Sequence, residues 1–93
     1  MSVEVLVSKY IVSAETVLKE MQRAKGTINV TQENVANILS YVNNYLEDAK
    51  YYKAQKSFET SLTSIAYCEG LLDALRLLGA VKFEWPAKAE RKK

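Results

Sequence analysis

The sequence predicts an all-α protein, an up-and-down three-helix bundle with a short extended C-terminal arm. Three observations lead there. Residues of strong helix preference (Glu, Lys, Ala, Leu, Gln) dominate, while glycine occurs three times and proline once. Apolar residues recur at steps of three and four through three long segments, the spacing of one helix face. The links between those segments are short and polar, which favours antiparallel neighbours. With 93 residues, 48% apolar and 26% charged, the chain suits one small domain over 1–86 with a single core, well away from the composition of disorder.

The first segment sets Val3, Val7, Tyr10, Ala14, Val17, Met21 and Ala24 on one stripe, widened by Leu6, Ile11 and Leu18. It predicts a helix over residues 3–25 that Gly26 ends as a left-handed C-cap. Thr31 then offers a hydroxyl to the free N–H groups of a second helix, Glu33 complements its dipole, and Val30 and Val35 have staple spacing. Val35, Ile38, Val42, Tyr45, Ala49 and Tyr52 carry that helix over about 32–53. The link "KAQKS" has neither glycine nor proline, and Ser57 is its best cap. A third helix over 58–78 stops at Gly79. Beyond it Val81, Phe83 and Trp85 alternate with polar or small residues, a period of two, so 80–86 reads as an arm lying on the bundle. Residues 87–93 read as a disordered basic tail.

Composition narrows the function. The apolar runs fall far short of the roughly 20 residues that span a bilayer, and no cationic flank precedes an apolar signal core, so a cytoplasmic protein with no membrane partner is expected. Cys68 is the only cysteine and histidine is absent. That excludes an internal disulfide, a thiolate cage, and any nucleophile paired with an imidazole base. No glycine-rich phosphate loop occurs. Glu47, Asp48, Glu69 and Asp73 are oxygen ligands in principle, but helical-bundle metal centres also use histidine, so neither a metal nor a cofactor is expected. The chain reads as no enzyme, with a carboxylate pair such as Glu69 and Asp73 as the one acid–base alternative. Its charge is segregated: residues 82–93 hold five basic and two acidic side chains, residues 1–81 eight basic and nine acidic. The tail could meet phosphates, with exposed tyrosines stacking on bases, which leaves nucleic-acid or nucleotide-like anion binding as the alternative function.

Two constellations stand out. In "AYCEGLLDALRLLG" (66–79), the stripe begun by Phe58, Leu62 and Ile65 continues to Glu69, Leu72, Arg76 and Gly79, so Glu69 and Arg76 sit where apolar residues belong and Asp73 lies beside them. A second stripe, Ile65, Cys68, Leu72 and Leu75, stays apolar, which makes Cys68 a buried group. Ala66, Gly70 and Ala74 form a small-residue groove suited to close approach of another backbone. Arg76 and Asp73 are an i,i+3 pair, which makes a structural role sufficient; a groove that receives a partner is the functional reading. On the second helix Tyr41, Tyr45, Asp48 and Tyr52 share a narrow arc beside the apolar face, where a ring with a polar tip fits with or without a function.

The segments "YLEDAKYY" (45–52) and "AYCEGLLDALRLLG" (66–79) resemble the archaeal family of domain of unknown function 357, with its Tyr-x-x-Asp-Ala-x-Tyr segment followed by a Glu-Gly-Leu-Leu-Asp-Ala segment ending in Leu-Gly. The link at 53–56 departs from the family's Gly-Asp-type turn. The resemblance implies a three-helix bundle from an archaeal cytoplasm and singles out Tyr45, Asp48, Tyr52, Tyr67, Glu69, Gly70, Asp73, Arg76 and Gly79. Some members look like accessory modules beside nucleotidyltransferase-type enzymes, which implies a helper role. The expected function is a non-catalytic interaction module whose border between the second and third helices (Tyr45, Asp48, Tyr52, Glu69, Gly70, Asp73, Arg76) meets a protein partner or a second copy in a homo-oligomer.

Overall fold

A computed structural model describes residues 2–86. Three helices follow one another, α1 (Val3–Glu20), α2 (Gln32–Ala54) and α3 (Phe58–Leu77), with no strand among the described residues. The all-α three-helix fold expected from the sequence is the fold observed. Residues 80–86, without helix or strand, return from α3 as the expected arm. The tail expected over 87–93 lies outside the described residues.

Local chemistry explains most boundaries that the sequence marked; Ser57 precedes α3 as expected, but its side chain makes no cap hydrogen bond. Ser2 caps α1, its hydroxyl accepting from the Val5 N–H at 3.1 Å. Thr31 caps α2 by a reciprocal pair: its Oγ1 accepts from Asn34 N–H, and its own N–H donates to Asn34 Oδ1, both at 3.1 Å. At the end of α2, Lys56 takes the left-handed conformation (φ 63°) where glycine is usual. Its N–H donates to Lys53 O at 3.0 Å, and the Ser57 N–H donates to Tyr52 O at 2.8 Å. This is a Schellman motif built without glycine. The same motif closes α3, with Gly79 (φ 77°) donating to Arg76 O and Ala80 to Leu75 O.

One boundary differs from expectation. The first helix stops at Glu20 and not at residue 25, because Met21 turns extended (φ −68°, ψ 152°). Gly26 is left-handed (φ 77°), but in the open link between helices and not as a cap. The apolar period runs on past Glu20, yet Met21 is 56% exposed, and helical propensity without burial does not hold a last turn in place.

The core lies between α2 and α3. Val35, Val42 and Ala49 are buried on α2 at steps of seven, and Cys68 and Leu75 on α3 at the same step. Ser61, one heptad before Cys68, is half-buried and donates its hydroxyl to Ala49 O at 2.7 Å. In that antiparallel register Ala49 lies level with Ser61, Val42 with Cys68, and Val35 with Leu75. The layers taper, from small residues at the closed turn to larger ones at the open end. Cys68 is buried, as expected, and its neighbours Ile65 and Leu72 are half-buried.

By contrast α1 buries no residue. Among the described residues no Cα of α1 comes within 8 Å of one in α2 or α3. The radius of gyration, 15.9 Å, exceeds the roughly 12 Å of a compact domain of this length.

Candidate functional site

The charged border of α3 meets the arm. Asp73 and Arg76 lie one turn apart, and Asp73 Oδ1 accepts from Arg76 Nη2 at a long 3.5 Å. With their side chains 44% and 41% exposed, this ion pair is worth at most about 1 kcal/mol. The stronger contact comes from the arm: Trp85 Nε1 donates to the same Oδ1 at 2.7 Å. Phe83 packs edge-to-face on Trp85, ring centroids 4.9 Å apart, and the Arg76 guanidinium sits 5.7 Å from the Phe83 centroid. Each part has a local cause. The Gly79 Schellman turn reverses the chain, and the period of two in the arm sets Val81, Phe83 and Trp85 on one side, all half-buried. Beside this cluster an open cleft of about 520 Å³ is lined by Arg76, Gly79, Val81, Lys82, Phe83 and Glu84.

Other expected site residues fall elsewhere along the hairpin. Tyr45 is half-buried and stacks on Tyr67, centroids 4.4 Å apart and planes 16° from parallel. Tyr52 is half-buried, with Tyr51 edge-on at 5.2 Å. Asp48 is exposed. By the Ala49–Ser61 register it lies near the start of α3, about eleven residues and hence about 16 Å along the axis from Asp73. The seven expected residues therefore do not form one patch: Tyr45, Asp48 and Tyr52 belong to the middle and closed end, Asp73 and Arg76 to the open end. Half-buried Glu69 lies between them and adds to the Cys68 environment. Burial of Cys68 pushes its thiol pKa up, and the negative charge of Glu69 pushes it further the same way.

The small-residue groove also differs from expectation. Ala66, Gly70 and Ala74 are exposed, and a Cβ on Gly70 would meet nothing within 4 Å, so no backbone of this chain approaches there. Among the described residues no three acidic or cysteine side chains gather as metal ligands. Phe83 and Trp85 were assigned to the arm but not to the site. A signal existed: a tryptophan on a short arm brings an indole N–H that needs an acceptor when half-buried, and Asp73 is the last acid of α3 before the turn that reverses the chain.

No helix of the structure is long and apolar enough to cross a membrane among the described residues. No curated protein and no solved structure matches the chain. Residues 9–81, which include all of α2 and α3 and the border between them, match the family described as Protein of unknown function (DUF357), and the chain belongs to that family.

Proposed function

We propose that this protein is a cytoplasmic, non-catalytic interaction module whose α2/α3 border, completed by the arm, meets a protein partner. One observation carries the reading: Arg76, Phe83 and Trp85 are held together at the open end of the hairpin beside an exposed cleft. Arginine and large aromatics are the side chains that concentrate binding energy at protein interfaces. Here the Asp73 bond to Trp85 fixes the arm beforehand, which lowers the entropy lost on binding. The cleft carries both signs of charge, Arg76 and Lys82 with Glu84, which suits a mixed protein surface better than a phosphate backbone. The lack of histidine and the burial of Cys68 rule out an imidazole-paired nucleophile, which supports the non-catalytic reading.

The test is affinity capture from native lysate with the full chain and with Arg76→Glu, quantified by mass spectrometry. A specific protein recovered by the natural chain and depleted at least about tenfold by Arg76→Glu is the expected result, a change of about 1.4 kcal/mol in binding. Equal recovery of the same proteins by both chains removes the α2/α3 border from consideration.

A further inference from the structure

Arg76 is underused inside its own chain. Its one hydrogen bond is the long 3.5 Å contact to Asp73 Oδ1, an oxygen that already accepts the 2.7 Å bond from Trp85. The side chain is 41% exposed, with the guanidinium packed 5.7 Å from the Phe83 centroid, so most of its N–H donors are left for an acceptor from outside. The cleft beside it sets two cations, Arg76 and Lys82, against one anion, Glu84. Among the described residues neither Lys82 nor Glu84 is in an ion pair. The arm adds a second demand. Burial alternates along it, Val81, Phe83 and Trp85 half-buried and Lys82, Glu84 and Pro86 exposed, as in a strand with one face on a core. Yet no strand pairs with it, and the backbone groups of Lys82, Phe83 and Glu84 make no hydrogen bond among the described residues. Such an open edge is a template to which an extended peptide can add a strand.

We infer that the arm takes an extended segment of a protein partner, paired with its backbone at residues 82–84 and bearing an acidic side chain whose carboxylate meets Arg76. The inference rests on the reading of the α2/α3 border as a protein interface and names the chemistry of what arrives there. A carboxylate matches the guanidinium fork with two parallel hydrogen bonds. A phosphate fits less well, because Asp73 beside Arg76 and Glu84 in the same cleft repel a dianion more strongly than a single negative charge. Val81 and Phe83 also line the cleft. Side chains two positions apart on a strand share a face, so an apolar residue next but one to the acid rests on that wall. A helix offering the same acid would satisfy Arg76 and leave the arm's backbone groups unpaired.

The test probes the full chain with arrays of short end-blocked peptides, random in sequence except for a central aspartate, asparagine or phosphoserine. The tightest binders are expected in the aspartate set, with their asparagine counterparts at least about tenfold weaker. Titrated by NMR, the best aspartate peptide shifts the backbone amides of residues 82–84. Arg76→Gln raises its dissociation constant at least about tenfold, Arg76→Lys restores only part of the loss, and methylation of the peptide's backbone nitrogens weakens it by a similar factor. Hairpin unfolding followed by Trp85 fluorescence is unchanged in both variants. Three sets that bind alike, a phosphoserine set that binds tightest, or a best peptide indifferent to Arg76→Gln or to methylation would each overturn the inference. Arrays without binders, while capture from lysate is still depleted by Arg76→Glu, overturn it too and leave the protein-interface reading in place.

Discussion

Helices α1 and α3 have similar lengths, 18 and 20 residues, and both are rich in apolar side chains, yet α3 buries Cys68 and Leu75 and α1 buries nothing. The difference lies in what each finds opposite. On α3 the heptad step Ser61, Cys68, Leu75 meets the matching step Ala49, Val42, Val35 on α2, with sizes that taper together. On α1 an equally regular stripe meets a polar edge of Glu59, Thr60 and Thr63. Amphipathic period states that a face needs cover. Only a partner in register supplies it, and among the described residues the hairpin offers α1 none.

The comparison breaks first at Leu75, which is 1% exposed. Leu75→Ala leaves a cavity against Val35 and costs about 3 kcal/mol, within the 2–5 kcal/mol of buried leucine truncations. Leu18→Ala in α1, at a residue 68% exposed, changes stability by no more than about 0.5 kcal/mol. Urea unfolding followed by Trp85 fluorescence measures both. Equal effects would mean that α1 belongs to the hairpin's cooperative unit.

A smaller contrast comes from glycines of the same backbone angle. Gly79 and Gly26 both have φ 77°, and both have open space where a Cβ would stand. Gly79 is locked by the two hydrogen bonds that close α3, so Gly79→Ala keeps the strain and costs about 1 kcal/mol. Gly26 lies in a link of exposed residues that relaxes around a methyl group, so Gly26→Ala costs about 0.2 kcal/mol. Conversely Lys56→Gly, at the turn where a lysine holds φ 63°, stabilises by about 0.5 kcal/mol. Thermal unfolding of the three variants gives the order directly.

How much could be read from residues alone follows the same division. Helices expected over 32–53 and 58–78 are observed as Gln32–Ala54 and Phe58–Leu77, because Thr31 and Gly79 are chemical stops. Helix α1 ends five residues before the expected 25: Gly26 has the chemistry of a stop and the apolar period continues to Ala24, but the burial that would hold that turn is absent. Lys56 gave no warning of a left-handed turn, because lysine is a poor marker of one. Within the site, Asp73 and Arg76 were legible as neighbours one turn apart. A helical wheel gives the angle of Asp48 and Tyr52 around an axis but not their height along it. Height came only with the Ala49–Ser61 register, which separates Asp48 from Asp73. The Trp85–Asp73 bond spans twelve residues and a chain reversal, beyond any local spacing rule.

The smallest effect is confined to alkaline solution and asks whether the middle layer of the hairpin is sealed. Burial holds the Cys68 thiol pKa above its ordinary 9.0, with Glu69 adding repulsion to a thiolate. Well below that value folded and unfolded chains both carry the proton, and stability does not depend on it. As pH rises past it the unfolded chain releases its proton first, so folding loses stability progressively up to the raised native pKa. The measurement is a difference between two chains that share every other ionisable group. The melting temperature of the natural chain should fall more steeply from pH 8 to pH 10 than that of Cys68→Ala, and native Cys68 should react slowly with a thiol reagent until the hairpin opens. A thiol introduced at Val17 in α1, where the native residue is 59% exposed, reacts at the free rate. If Cys68 and that exposed thiol label equally fast, the Val42–Cys68 layer admits water, and the packed hairpin and the bare helix differ less than the burial of their side chains implies.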